Sequence, residues 1–169
     1  RFYEVVEVTE CNIVETDFTI ILKEVLNYFR GKQIPRYDKR NHIGVLRHLS
    51  VRKALSTGEI IINLVTSSQG EIDLDEFKDK LINCKDIEGS IVGILHTIND
   101  NLADTIKADE LHLIYGREYV IEKIFGLKFK ISPFSFFQTN TSGAEKLYTI
   151  AREFAGNIDD KVVFDLYSG

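Results

Sequence analysis

Two short stretches late in the chain hold residue types suited to gripping a polar ligand. The first is Val162-Val163-Phe164-Asp165-Leu166-Tyr167-Ser168-Gly169, an apolar run ending in an acid and a glycine-bearing turn. Such a run reads as a buried strand feeding a binding loop, because open α/β sheets hold their ligands beyond the carboxyl ends of strands. A nucleotide-type cofactor needs a strand end, a small residue that admits close backbone approach, and amides aimed at the ligand. Asp165, Tyr167 and Gly169 fit the first two requirements. A buried strand followed by a plain turn accounts for the same residues equally well.

The second stretch is Ile131-Ser132-Pro133-Phe134-Ser135-Phe136-Phe137-Gln138-Thr139-Asn140, with three phenylalanines in four residues beside two amides. Aromatic faces can stack an unpaired base, and carboxamides can bond a base edge or the polar groups of a cofactor. The alternative is that the phenylalanines are core and Asn140 only caps a following helix.

Charge supplies a third feature. The chain carries a net charge of −5, yet between Arg30 and Lys53 eight basic residues face one acid, Asp38. A basic island on an acidic protein is a candidate polyanion contact, with Arg36, Lys39, Arg40 and Arg47 its foremost members. A solvated loop is the competing reading. The four histidines (His42, His48, His96, His112) are dispersed without metal spacing, and only His48, beside Arg47, is a candidate for the same contact.

The elements that must position these residues follow from periodicity. Phe2 to Val8 reads as a strand. Phe18, Ile21, Leu22, Val25, Leu26 and Phe29 recur at helical spacing, with Thr16 or Asp17 as the cap and Gly31 as the stop. Gly31 to Asn41 reads as an exposed loop. Ile43 to Val51 and Glu59 to Val65 read as strands joined across Ser56-Thr57-Gly58. Asp73 caps a second helix with Leu74, Phe77, Leu81 and Ile82 inward, and Ser90 to Thr97 is a further strand. The order β-α-β-β-α-β is the split βαβ, or ferredoxin-like, pattern. Tyr119 to Phe125 and Leu127 to Ile131 flank Gly126 as a hairpin. A third helix follows, capped by Asn140 or Thr141, with Ala144, Leu147, Tyr148, Ala151 and Phe154 on one face and Gly156 at its end. Val162 to Leu166 is the last strand. The fold class expected is therefore α/β: a central α/β domain over 1–100, a β-ribbon connection over 101–138, and over 139–169 the first elements of a Rossmann-like domain.

Composition is globular, with 44% hydrophobic and 28% charged residues among 169. No apolar run approaches membrane-spanning length, and no signal peptide opens the chain. The two cysteines, Cys11 and Cys84, form neither a CxxC pair nor a disulfide framework, so a cytoplasmic setting is expected. There is no methionine, and the chain reads as a segment of a longer protein.

Together, Ser132-Pro-x-Ser-Phe136-x-Gln138-x-Asn140 and, 25 residues later, Asp165-Leu-Tyr-Ser-Gly169 resemble the RNA 5-methyluridine methyltransferases. Gly44-Val-Leu-Arg47-His48-Leu-Ser-Val-Arg52 resembles that family's central-domain segment. Asp165, Tyr167 and Gly169 also match the first half of the methyltransferase signature acidic-x-x-x-Gly-x-Gly, with only its first glycine present. The resemblance implies an S-adenosylmethionine-dependent enzyme that methylates carbon-5 of a uridine in ribosomal or transfer RNA. It implies cofactor contacts by Gln138 and Tyr167, with Gly169 and Asp165 in the cofactor's loop, and a base-facing Phe136; RNA contacts by Arg36, Lys39, Arg40 and Arg47 are expected from the basic island alone. The family's chemistry uses a cysteine nucleophile and a carboxylate base. Their motifs fall beyond Gly169, so no catalytic residue is assigned and the segment alone is expected to be inactive. Some members bind an iron–sulfur cluster through four cysteines, the last near Glu10-Cys11-Asn-Ile13. Cys84 does not match the remaining spacing, so Cys11 is either an orphaned ligand or a small apolar residue. Two further readings stand beside this one: a non-catalytic RNA-binding α/β module, and a methyltransferase acting on a protein or small molecule.

Overall fold

The computed structural model describes residues 8, 10–102, 110–164 and 166. Apart from Val8, the strand expected over 2–8 lies outside the described residues, as do Asp165, Tyr167 and Gly169.

Helix α1 (Thr16–Gly31) forms where the apolar spacing predicts it and buries Ile21, Val25, Tyr28 and Phe29. Its ends differ from expectation. Glu15 occupies the N-cap position without a side-chain cap, and neither Thr16 nor Asp17 caps the helix. Asp17 points inward instead, accepting from the Glu88 and Gly89 amides at 2.8 and 3.0 Å and from Lys53 Nζ at 2.8 Å. Gly31 is the last helical residue, and Gln33, at φ 55°, makes the left-handed turn out of the helix.

Strands β1 (Leu46–Lys53) and β2 (Glu59–Thr66) pair antiparallel across a turn closed by Ala54 and Gly58. Helix α2 (Leu74–Ile82) starts at Asp73, whose carboxylate accepts from the Glu76 amide at 2.9 Å. Phe77 and Leu81 are buried, one turn apart on the inner face, whereas Ile82 falls off that face and stays exposed. Strands β3 (Ser90–Ile98) and β4 (Glu110–Gly116) complete a four-stranded sheet in the order β1-β2-β3-β4.

The α/β class holds, but the strand order corrects its finer description. β2 and β3 are parallel and directly hydrogen-bonded, pairing Ile62 with Ile94 and Leu64 with His96. In the described sheet no strand separates the two ends of the α2 crossover, so this βαβ unit is not split. The cause is β2, Glu59-Ile-Ile-Ile-Asn-Leu-Val-Thr66, which is apolar on both faces and buried from Ile60 onward. Such a strand takes an interior position with neighbours on either side. β4 was not foreseen. It comes from the stretch expected to be only a connection, and its mostly exposed side chains mark a sheet edge.

Helices α1 and α2 cover one face of the sheet, where Tyr28, Phe29 and Phe77 pack with Ile60, Ile62, Leu64 and Ile94. On the other face Ile61 and Leu95 meet Ala54, Val120 and Ile131. The last two belong to a hairpin of β5 (Val120–Ile124) and β6 (Leu127–Ile131). Phe125 and Gly126 both take positive φ at its turn, 50° and 80°, the conformation that matches strand twist in two-residue hairpins.

Helix α3 (Thr141–Ala155) is capped by Asn140, as expected. Of its anticipated inner face only Ala144 is buried, while Leu147, Tyr148 and Phe154 are exposed. Val162 to Phe164 form no strand and are exposed. A strand requires a ladder partner, and no described residue pairs with them.

Candidate functional site

The segment between β6 and α3 begins with a tight turn. Ser135 Oγ accepts from the Ser132 amide at 2.9 Å and donates to the Ser132 carbonyl at 3.1 Å. Beyond the turn the phenylalanines take different roles. Phe137 packs into the Ile61–Leu95 cluster and lies against Phe129, ring centroids 5.8 Å apart. Phe136 is 86% exposed, and Gln138 is exposed too. This alternation is what an extended backbone produces: one residue goes to the core and its two neighbours face away. The core alternative is thus met at Phe137 alone. Phe137 is core, while Phe136 and Gln138 present an aromatic face and a carboxamide to solvent.

Asn140 then caps α3, its Oδ1 accepting from the Gly143 amide at 2.8 Å and the Ser142 hydroxyl at 3.1 Å. Its side-chain oxygen is therefore engaged by the helix, whereas both ends of the Gln138 carboxamide are without a partner among the described residues. Thr141, nearly buried, donates its hydroxyl to Glu122 Oε2 at 3.1 Å. Sequence reasoning passed over Glu122. The signal is in β5, where Val120, Glu122 and Ile124 alternate onto one face, placing an acid among buried apolar residues.

The basic island divides. Lys32 pairs with Glu76 at 2.5 Å, and Lys53 pairs with Glu15 and Asp17. Burial lowers the Arg52 guanidinium pKa from its ordinary value. Arg47 lies over the Tyr37 ring, 4.4 Å from its centroid, and donates to the Asn99 carbonyl at 2.6 Å. Arg36, Lys39 and Arg40 are exposed on the loop leading into β1. That loop is pinned at its base, where Arg36 bridges to Leu46 and Tyr37 donates to the Leu46 carbonyl at 2.8 Å. Gly44, at φ 122°, permits the approach, since a Cβ there would overlap the Arg36 carbonyl. Asp38 folds the tip, bonding Ile43 and His42 through its backbone and the Arg40 amide through its carboxylate.

The structure thus gathers Arg36, Lys39, Arg40 and Arg47 at the start of β1. It attaches the hairpin that leads to Phe136 and Gln138 at the opposite end of β1, where Leu55 and Ser56 meet Glu122. His48 is half-buried in β1. His96 and His112, dispersed in sequence, lie across from each other on β3 and β4 with ring centroids 6.3 Å apart. Burial, with His112 alongside, holds the His96 imidazole below its ordinary pKa, and Thr66 Oγ1 lies 2.8 Å from its Nε2.

Among the described residues no group of three or more His, Cys, Asp or Glu is placed to hold a metal, and Cys11 and Cys84 are free thiols. No described helix is long and apolar enough to cross a membrane.

No protein-family model matches the chain. Among curated proteins it is 52% identical over 167 residues to an uncharacterized RNA methyltransferase of Clostridium tetani, covering 99% of this chain and 36% of that protein. A protein of the same designation from Caldanaerobacter subterraneus is 48% identical over 169 residues, covering 100% of this chain and 37% of the other. The chain thus spans little more than a third of the relatives it matches. Among solved structures, the Pyrococcus abyssi tRNA (uracil-54, C5)-methyltransferase in complex with S-adenosyl-L-homocysteine superposes with a TM-score of 0.70 at 20% identity, covering 89% of this chain and 36% of that one. At that identity the likeness is one of fold.

Proposed function

Since the chain is related along its whole length to one stretch of the RNA methyltransferases, we propose that it is part of an S-adenosylmethionine-dependent enzyme methylating carbon-5 of a uridine in ribosomal or transfer RNA. The observation that carries this reading is the exposed pair Phe136 and Gln138, held outward on either side of half-buried Phe137, within the motif that resembles the uridine-methylating family.

In this reading 1–100 is the central domain, 101–138 the ribbon connection and 139–169 the start of the methyl-donor domain. β4, though within the second stretch, is hydrogen-bonded into the sheet of the first. Gln138 holds polar groups of the donor through its carboxamide, which engages no partner among the described residues; Asp165, Tyr167 and Gly169, outside the described residues, are assigned to the same cofactor. When bound, S-adenosylmethionine supplies the methyl group. Phe136 offers its ring to an unstacked uracil, a contact sufficient to hold a base out of its helix without reading its identity. Arg36, Lys39, Arg40 and Arg47 neutralise phosphates. No residue of this chain is assigned as nucleophile or base. The setting is the cytoplasm.

The test is methyl transfer from radiolabelled S-adenosylmethionine by the full-length protein to bulk transfer RNA and ribosomal RNA, with digestion to nucleosides. Label in 5-methyluridine supports the reading. RNA retention without label would favour the binding-module reading, and label in protein would overturn the RNA assignment.

A further inference from the structure

Glu122 is a carboxylate with 2% exposure that ends up among apolar neighbours, without an ion-pair partner among the described residues. A charge in that position is costly unless donors surround it. Here they do. The Leu55 and Ser56 amides donate at 2.7 and 3.0 Å, the Lys123 amide at 2.9 Å and the Thr141 hydroxyl at 3.1 Å. Burial pushes its pKa up, but the bonds from Ser56, Lys123 and Leu55 outweigh this and hold the carboxyl below its ordinary value. Glu122 stays ionised.

Its four donors come from three separate elements: the β1–β2 turn, β5 and the first residue of α3. The turn and β5 are already joined without it. Thr57 Oγ1 donates to the Ile121 carbonyl at 2.8 Å, the Ile121 amide to Glu59 Oε2 at 2.7 Å, and the Lys123 amide to Ser56 Oγ at 2.9 Å. The Thr141 bond is different in kind, because it ties the start of α3 to β5. A negative charge at the start of a helix also suits the helix dipole. Between Phe137, anchored in the core, and Thr141, anchored on Glu122, only Gln138, Thr139 and Asn140 intervene. A span that short, fixed at both ends, leaves the Gln138 backbone little freedom.

We propose that Glu122 is a positioning residue for the methyl-donor site, acting through the Thr141 hydroxyl to fix the short span that carries Gln138. The proposal rests on the cofactor reading of Gln138 given above. It assigns Glu122 a role apart from sealing the turn at Leu55 and Ser56, and Thr141 separates the two, since removing its hydroxyl leaves the turn's bonds in place.

The experiment is calorimetric titration of the full-length protein with S-adenosylhomocysteine, together with thermal melts, for wild type, Thr141→Val, Thr141→Ser and Glu122→Gln. Losing one bond of this kind is expected to weaken S-adenosylhomocysteine binding about fivefold in Thr141→Val. Thr141→Ser, which keeps the hydroxyl, restores wild-type affinity. Glu122→Gln weakens binding in the same direction and also lowers the melting temperature, because the turn amides lose acceptors. If Thr141→Val binds like wild type while melting lower, the hydroxyl is a structural tie only and the proposal is overturned. If wild type itself does not bind S-adenosylhomocysteine, the cofactor reading fails first and takes this proposal with it.

Discussion

Asp17, buried in the first turn of α1, and Lys53, the half-buried last residue of β1, form an ion pair with Oδ2 and Nζ 2.8 Å apart. The Glu88 and Gly89 amides complete the coordination of the carboxylate, so one side chain ties together α1, β1 and the loop before β3. Asp17→Asn leaves the lysine ammonium with only Glu15 and is expected to cost about 3 kcal/mol. Urea unfolding of wild type and variant measures it, and a loss under about 1 kcal/mol would refute it.

The same pair sets a pH dependence. Burial raises the Asp17 pKa, but Lys53 and the two amides pull it down, to a net value below the ordinary 3.8. A carboxylate depressed on folding adds stability that is fully present above its unfolded pKa and is lost as pH falls through the folded one. Melting temperatures of wild type are therefore expected to fall below about pH 4 more steeply than those of Asp17→Asn. Parallel curves would show that the pair does not contribute to acid stability.

Adjacent phenylalanines should separate cleanly. Phe137→Ala removes a ring from the Ile61–Leu95 cluster and is expected to destabilise the protein by about 2 kcal/mol, less than a fully buried ring would. Phe136→Ala should change stability by no more than about 0.5 kcal/mol. It should nevertheless lower uridine methylation at subsaturating RNA. Unfolding curves and initial rates on both variants decide the matter. Equal methylation by Phe136→Ala and wild type would remove the base-stacking role.

Neutralising Arg36, Lys39 and Arg40 together to glutamine removes exposed charge from the loop before β1. If all three meet phosphates of single-stranded RNA, the plot of log affinity against log salt should become shallower by about 2. Filter binding across a salt series measures the slope. An unchanged slope identifies the loop as solvated surface.

Asn140→Ala should cost about 1 kcal/mol through loss of the α3 cap, and Asn140→Asp should restore it. Thermal melts of the two variants check this pair directly.

Much of this was readable in the residues. Helical spacing marked α1 and α2, the Ser56-Thr57-Gly58 break marked the β1–β2 hairpin, and Gly126 marked the turn between β5 and β6. What stayed hidden depends on partners far away in sequence. β4 carries Leu111, Leu113 and Tyr115 in alternation, but an edge strand is defined by its neighbour β3, which local pattern does not reveal. Asp17 looked like a helix cap because the lysine that draws it inward lies 36 residues away. Phe136 and Phe137 are chemically identical, and only the cluster beneath them decides which one faces out. Glu122 had a local clue, its apolar partners at alternate positions, but its donors come from residues as far as 67 positions off.

The basic loop and the hairpin leading to Gln138 join the sheet at opposite ends of β1, an eight-residue strand. At the rise of an extended chain that separation is roughly 25 Å. One strand of stacked RNA covers the same distance in about seven nucleotides. If the loop meets phosphates and Phe136 the target base, as proposed, an oligonucleotide of three or four residues would engage one end or the other, and only a longer RNA would reach both.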